Sequence, residues 1–302
     1  MTHHRASLYL IAGGCMWGLY WIPLLYLEDL GLSGASAGIA LYVACLLVLL
    51  PAIWQRRADF GTHWRALIFS GILTGCAFSL YTTSLVYTDV IRSILLFYLT
   101  PVWGTLIGLI FLKERLSLAR LCVLFFAFLG LYTILGSETG LPLPRNKGDV
   151  MALLSGLFWS IGSLGLLRAQ QVPIMTQIVS FLLGSLVISL ISLVVIGDFV
   201  FLPASYTGGF YLFGFLLCFA AFAIPMFWLT LAPARVLSPA RVGILLMSEV
   251  VIGALSAMLF SGQPFGMPET FGTIFILIAA ATEVIGTSQP PQQITQPQQD
   301  QS

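Results

Sequence analysis

Apolar residues occur along the chain in ten runs of about 20 residues each, separated by short breaks of turn-forming or charged residues. A helix needs about 20 mostly apolar residues to cross the hydrocarbon core of a membrane. The pattern therefore predicts an all-α polytopic membrane protein with ten transmembrane helices. They are expected at about 7–27, 34–54, 66–86, 90–112, 118–136, 149–168, 173–197, 208–231, 239–261 and 268–287.

Composition strengthens the membrane prediction. Hydrophobic residues make up 58% of the 302 residues and charged residues only 8%, whereas a soluble domain carries roughly 25% charge. The mean hydropathy is +0.97. The formal net charge of +1 excludes a polybasic nucleic-acid binder and an acidic disordered tail. Residues 288–302 are rich in Gln and Pro and are expected to form a disordered cytoplasmic tail.

Catalytic residue types are scarce, which favours a carrier over an enzyme. The three histidines lie near predicted helix ends, neither lysine follows a Gly-rich loop, and the five cysteines form no CxxC pair. We therefore expect no metal, no cofactor and no ATP-binding loop, and we expect free thiols. An intramembrane enzyme would need His, Asp or Lys concentrated at one depth. A pore would need a continuous polar path, and the sequence shows neither pattern.

The distribution of Lys and Arg predicts the orientation in the membrane. With both termini in the cytoplasm, nine positive residues fall inside and two fall clearly outside, as the positive-inside rule requires. The inner group comprises Arg5, Arg56, Arg57, Arg65, Lys113, Arg115, Arg120, Arg168 and Arg235, and the outer group Arg145 and Lys147. An even number of spans agrees with this orientation. We expect a multi-pass protein of the cell inner membrane.

The two halves of the chain resemble each other. A shift of 142 residues places Gly14 on Gly156 and Trp17 on Trp159, and a shift of 149 places Arg92 on Arg241. Because each half has five spans, the second copy must run through the membrane upside down. Such inverted repeats are typical of transporters and place the substrate site between the repeats. The predicted domains are residues 1–136, a linker at 137–148, a second repeat at 149–287 and the tail.

Two short motifs resemble the drug/metabolite transporter superfamily and, within it, the EamA family. The first is Leu99-Thr100-Pro101-Val102-Trp103-Gly104, and the second is Leu112-Lys113-Glu114-Arg115-Leu116-Ser117, with Glu114 thirteen residues after Pro101. The second repeat departs from this pattern, with Val250 and Gln263 at the corresponding positions. The segment from Cys15 to Trp21 is similar to the YddG-type exporters of aromatic amino acids.

This resemblance implies a secondary transporter that works by alternating access. Amino acids, with aromatic or apolar ones favoured, are the expected solutes of an exporter, and the alternative is a drug or another metabolite on the same scaffold. The expected partners are this small-molecule substrate and the lipid bilayer. No nucleic acid and no obligate protein partner are indicated.

Glu249 is the principal candidate for the substrate site, because it falls about ten residues into the ninth run. A carboxylate near the middle of a membrane is costly and is a functional candidate by default. It would receive a substrate ammonium, carry a proton, or pair with a polar neighbour such as Ser248.

Other candidates are aromatic or small residues within the runs. An aromatic cavity would suit apolar and aromatic amino acids and would stack on a cationic drug, although Tyr and Trp also anchor helices at the membrane interface. The candidate lining residues are Trp17, Trp21, Tyr81, Tyr98, Trp103, Trp159, Ser163 and Trp228. The candidate hinge and packing residues are Pro101, Gly104, Pro225 and Gly253.

Arg92 and Arg241 are expected to snorkel to headgroups or to form a structural pair, such as Arg92 with Asp89. If they lay at the cavity mouths instead, they would attract carboxylates.

Overall fold

The structure is a computed structural model that describes residues 3–32, 35–100, 102–103, 106, 118–136, 144–196, 209–237, 239–260 and 266–286. Every regular element in these ranges is an α-helix, which is the form in which a membrane segment bonds its own backbone groups. The helices are α1 (His3–Leu19), α2 (Trp21–Asp29), α3 (Ala35–Gln55), α4 (Arg57–Thr62), α5 (Trp64–Tyr87), α6 (Val90–Phe97), α7 (Leu118–Gly136), α8 (Lys147–Arg168), α9 (Ile174–Ile196), α10 (Gly209–Ala234), α11 (Pro239–Phe260) and α12 (Met267–Gly286).

A helix overlaps each of the ten predicted runs, and the break expected between the third and fourth runs is confirmed, because α5 ends at Tyr87 and α6 begins at Val90. Five stretches in the described residues are long and apolar enough to cross a membrane: His4–Asp29, Ala35–Gln55, Trp64–Tyr87, Ile174–Val194 and Gly209–Ala234. The described part of the chain is therefore all-helical, and the protein is a multi-pass membrane protein. The short α4 was not predicted; it follows the charged break after the second run.

Two of the predicted continuous helices are interrupted. In the first run, helix α1 ends at Leu19, four residues before Pro23. In the fourth run, helix α6 ends at Phe97, four residues before Pro101. A proline cannot donate to the carbonyl four residues earlier, and its ring clashes with that carbonyl. The chain turns at Tyr98 instead of continuing as a helix, so the predicted single helix over 90–112 is wrong at this point.

Most large helix contacts join the first half of the chain to the second. Helix α1 packs on α10 and α11, α3 on α9 and α10, α5 on α8 and α9, α6 on α8 and α11, and α7 on α12. An aromatic cluster lies between the halves. Its centre is Phe78, whose ring lies 5.0 Å from that of Phe181 and 5.2 Å from those of Trp17 and Phe227, measured between centroids.

Arg92 forms a buried ion pair that links α6 to the start of α8. Its Nε lies 2.9 Å from Oδ1 of Asp149, and its second terminal nitrogen lies 2.9 Å from Oδ2. The exposed fractions of the two side chains are 8% and 0%. The expected pairing with Asp89 is therefore wrong, as is snorkelling to the headgroups. The side chain of Arg241 lies outside the described part of the chain.

The Asp149 carboxylate is held by further donors. Oγ1 of Thr88 donates to Oδ1 at 2.7 Å, and the backbone N–H of Arg145 donates to Oδ2 at 2.9 Å. Asn146 caps the same helix end, because its Oδ1 accepts from the backbone N–H of Asp149 at 2.8 Å. These bonds join the turn between α5 and α6 to the first turn of α8.

Glycines allow α5 and α9 to approach closely. A Cβ atom built on Gly184 would overlap the backbone oxygen of Gly71, whereas one built on Gly214 of α10 would meet no atom within 4 Å. Plain packing is therefore enough to explain the small residues at this contact.

Gly184→Ala is expected to destabilise the protein by about 1–3 kcal/mol, because the added methyl group must push two helix backbones apart. Thermal unfolding of the purified protein in detergent measures the effect. Gly214→Ala is the matched control and is expected to leave the melting temperature unchanged or raise it slightly. Equal melting temperatures for the two variants would contradict the close contact.

Candidate functional site

A small cavity lies between the two halves of the chain. Each half contributes five of its lining residues, which are Trp17, Ala77, Phe78, Tyr81 and Phe97 from the first and Trp159, Phe181, Thr230, Leu246 and Glu249 from the second. Its volume is about 40 Å³, which is room for only a few water molecules. The wall is mostly aromatic, and Glu249 contributes the only carboxylate among these ten residues.

Trp17 and Trp159, which the predicted internal repeat would relate, both line this cavity. Trp17 lies on α1 and Trp159 on α8. The Nε1–H group of Trp17 donates to Oγ1 of Thr230 at 2.9 Å, so a bond between the two halves fixes the indole plane. Its ring meets Phe78 edge-on, with an interplanar angle of 90°. The arrangement provides a rigid apolar wall with one polar edge.

Glu249 is 3% exposed, and its carboxylate is held by two tyrosines from the first half. The hydroxyl of Tyr81 on α5 donates to Oε1 at 2.7 Å, and the hydroxyl of Tyr98 donates to Oε2 at 2.8 Å. Ser248, named above as an example of a polar neighbour, is not the partner, because its hydroxyl lies within hydrogen-bonding distance of the backbone oxygens of Leu245 and Ile11. Three candidate residues, Glu249, Tyr81 and Tyr98, thus form one hydrogen-bonded group.

When the Glu249 carboxyl is ionised, this group has one hydrogen-bond donor fewer than its acceptors can use. The phenolic oxygen of Tyr98 also lies 2.6 Å from the backbone oxygen of Leu246, so its single proton faces two acceptors. No Lys or Arg is among the ten residues described as lining the cavity. A buried carboxylate without a cationic partner is costly. An ammonium group that entered the cavity would supply both the missing donor and the missing positive charge.

Two further aromatic candidates lie away from the cavity. Trp21 is buried, and its Nε1–H donates to Oγ of Ser256 on α11 at 2.9 Å. Trp228 packs its ring against Tyr9, with 5.7 Å between the centroids. Both therefore contribute to helix packing in this conformation and do not line the cavity.

Ser163 and Trp103 also lie outside the cavity lining. The hydroxyl of Ser163 donates to the backbone oxygen of Ser160 in its own helix at 2.9 Å. Trp103 lies against Gly156 of α8 and contributes no atom to the lining. Neither residue reaches the cavity in this conformation.

Of the hinge candidates, Pro225 is exposed within α10. Gly253 packs closely on Gly18, and a Cβ there would lie 2.5 Å from Cδ1 of Ile94. Its role in this conformation is close helix packing. Pro101 and Gly104 lie outside the described residues.

Several lining residues were not predicted. Ala77 and Phe78 precede Tyr81 by four and three positions, so helical spacing places them on its face, and this signal was available in the sequence. Phe181 and Thr230 offer no such signal, because only the packing of α9 and α10 against the first half brings them to the cavity. In the described residues, no group of three His, Cys, Asp or Glu could hold a metal ion.

Comparisons with known proteins support a transporter. No curated protein sequence matches the chain. A protein of known crystal structure is similar in fold, with a TM-score of 0.60 and 17% sequence identity, over 94% of this chain and 98% of that chain. Residues 4–136 match the EamA-like transporter family. Through residues 4–136 the chain is therefore similar to the EamA-like transporters, a family of membrane proteins that transport small solutes.

Proposed function

We propose that this protein exports amino acids, favouring aromatic and apolar ones, by alternating access of the cavity between its halves. The observation that carries the proposal is the hydrogen-bonded group at Glu249, which lacks a cationic donor and lies in an aromatic wall. The ammonium of the solute would bind the carboxylate, and its side chain would pack on Trp17 and Trp159. The solute would cross the membrane as the cavity opens to each side in turn.

We also propose the ten-span inverted repeat, which the helix contacts support. If each helix of the first half corresponds to one of the second, the contact of α1 with α11 corresponds to that of α6 with α8. In the first contact Gly14 faces the backbone oxygen of Leu246, and in the second Gly156 faces that of Phe97. Leu246 lies 149 residues after Phe97, the same offset that aligns Arg92 with Arg241.

The proposed orientation has both termini in the cytoplasm of a cell with an inner membrane. The excess of Lys and Arg on that side supports it. In this proposal residues 1–136 and 149–287 are the two repeats, 137–148 is the external linker, and 288–302 is a cytoplasmic tail. The tail lies outside the described residues.

Alternating access requires the cavity to enlarge. About 40 Å³ is far too little for a whole amino acid, so the described conformation is one in which the cavity is contracted. The interruptions at Tyr20 and Tyr98 lie next to the cavity lining. They are positions at which the first and fourth runs can bend without breaking a continuous helix.

Counterflow into liposomes containing the purified protein tests this function. Liposomes loaded with phenylalanine or leucine are expected to take up the labelled amino acid faster than protein-free liposomes do. N-acetylphenylalanine is the matched control solute, because it keeps the aromatic ring and lacks the ammonium. It is expected to exchange at least about tenfold more slowly, since a charge-assisted hydrogen bond is worth about 1.5–3 kcal/mol.

Two outcomes would contradict the proposal. Equal exchange of phenylalanine and its N-acetyl derivative would remove the ammonium from recognition. Exchange of cationic dyes without exchange of any amino acid would favour the alternative, an exporter of drugs or other metabolites on the same scaffold.

A further inference from the structure

A second apolar depression lies on the exposed surface between α5 and α9, away from the central cavity. It has a volume of about 290 Å³. Its lining residues are Phe60, Trp64, Leu67, Ile68, Ile72, Ser180, Leu183, Gly184 and Val187. We call this depression the α5–α9 groove. None of these residues lines the central cavity, so the groove is a separate feature of the molecule.

The walls of the groove follow helical spacing. Trp64, Ile68 and Ile72 stand four residues apart on α5, and Leu183 and Val187 stand four apart on α9. All five side chains are between 44% and 53% exposed. From Trp64 to Ile72 the α5 wall extends about 12 Å along the helix axis. The groove is thus an apolar depression that runs along the two helices and is long enough for part of an acyl chain.

The end of the groove at Trp64 is positively charged. The guanidinium carbon of Arg65 lies 5.3 Å from the ring centroid of Trp64, which places this charge beside a lining residue. Arg57 is exposed and stands on α4 one turn before the lining residue Phe60, with its guanidinium carbon 5.0 Å from the ring centroid of Trp54. Arg56 differs from them, because its guanidinium lies 3.5 Å from the carboxylate of Asp59. Arg57 and Arg65 therefore provide positive charge at the point where α5 begins.

We propose that the α5–α9 groove binds one acyl chain of an anionic phospholipid, whose phosphate is held by Arg57 and Arg65. A guanidinium group suits a phosphate because it offers several donors in a fixed plane. Tryptophan at the headgroup level suits the same depth of the bilayer. Basic sites between transmembrane helices on the cytoplasmic side recognise anionic headgroups in this way.

The packing of α5 and α9 argues against a second copy of the chain as the occupant. Small residues promote association of membrane helices when they face the partner. Here Gly71 and Gly184 face each other across the α5–α9 contact, so they are already used within one chain. The exposed walls carry large side chains instead, and the adjacent charge favours an anionic ligand.

Native mass spectrometry of the full chain in neutral detergent tests this site. Phosphatidylglycerol and phosphatidylcholine with identical acyl chains are added separately, and the retained lipid is compared. The wild-type monomer is expected to retain one phosphatidylglycerol at concentrations where phosphatidylcholine is lost. The double variant Arg57→Gln/Arg65→Gln is expected to bind phosphatidylglycerol about tenfold more weakly. Arg56→Gln removes the same charge from the same segment and is expected to bind as the wild type does.

A second variant tests the apolar part of the site. Val187→Trp fills the groove without changing the charge, and it is expected to weaken retention of phosphatidylglycerol. The proposal is overturned if the wild type retains both lipids equally, if the double variant binds as the wild type does, or if Val187→Trp has no effect. A dimer that forms on this face would also overturn it. If the double variant is not monodisperse, the single variants Arg57→Gln and Arg65→Gln provide the same comparison.

Discussion

Glu249→Gln is expected to weaken the binding of solutes that carry a free ammonium by about 10- to 100-fold, while the protein stays folded. The glutamine keeps the shape of the side chain and removes its charge. Its amide also supplies N–H donors, and the group formed by Glu249, Tyr81 and Tyr98 is short of a donor beside the backbone oxygen of Leu246. The substitution therefore removes the attraction for a cation without leaving a buried acceptor unsatisfied.

Substrate-dependent thermal stabilisation and counterflow in liposomes measure this effect. Glu249→Ala is the informative comparison, because it removes both acceptors and leaves the hydroxyl of Tyr81 without a partner, whereas Tyr98 keeps the backbone oxygen of Leu246. That variant is expected to lose stability, by about 1–3 kcal/mol for each unsatisfied buried group. A well-folded Gln variant with wild-type affinity for amino acids would remove Glu249 from the site. Lower stability with an unchanged solute preference would make its role structural.

Arg92→Gln and Asp149→Asn are each expected to destabilise the protein by about 3–5 kcal/mol, because each leaves one buried partner of the pair without its counter-charge. Asp149 is fully buried and also accepts from Thr88 and from the backbone of Arg145, so its loss affects two segments at once. Thermal unfolding in detergent measures the loss, and reduced yield of folded protein is expected to accompany it.

The Arg56–Asp59 pair provides the control for this prediction. It lies on the surface, with side chains 49% and 31% exposed, and Arg56→Gln is expected to cost no more than about 1 kcal/mol. In the double variant Arg92→Gln/Asp149→Asn no uncompensated charge remains, so its loss should be smaller than the sum of the two single losses. Additive losses would show that the two side chains do not interact in the folded protein.

The positions of the helices could be predicted because each apolar run carries its own signal. For example, the predicted run 118–136 coincides with α7. The end of α6 at Phe97 could also have been predicted from the sequence, because Pro101 follows it by four residues. The central position of Glu249 in its run was enough to mark it as a candidate. These features depend on residues close together in the chain.

The partners of the candidate residues could not be predicted, because they come from distant segments. Tyr81 and Tyr98 precede Glu249 by 168 and 151 residues, and Asp149 follows Arg92 by 57. Asp89 was the nearer choice for Arg92, but Asp149 at the buried start of α8 forms the pair. Trp21 and Trp159 have the same residue type, yet only Trp159 lines the cavity. Which face of a helix meets the other half is decided by tertiary packing.

The small size of the central cavity has a consequence for the water balance of the transport cycle. In the described conformation the cavity between the two halves has a volume of about 40 Å³, so it has room for few water molecules. A conformation that admits a whole amino acid must hold more water when no solute is bound. Opening of the empty carrier is then a hydration step, and solutes too large to enter the cavity oppose it by lowering the activity of water. Osmotic stress on either side of the membrane would thus favour the form with the contracted cavity, with no contact between the osmolyte and the protein.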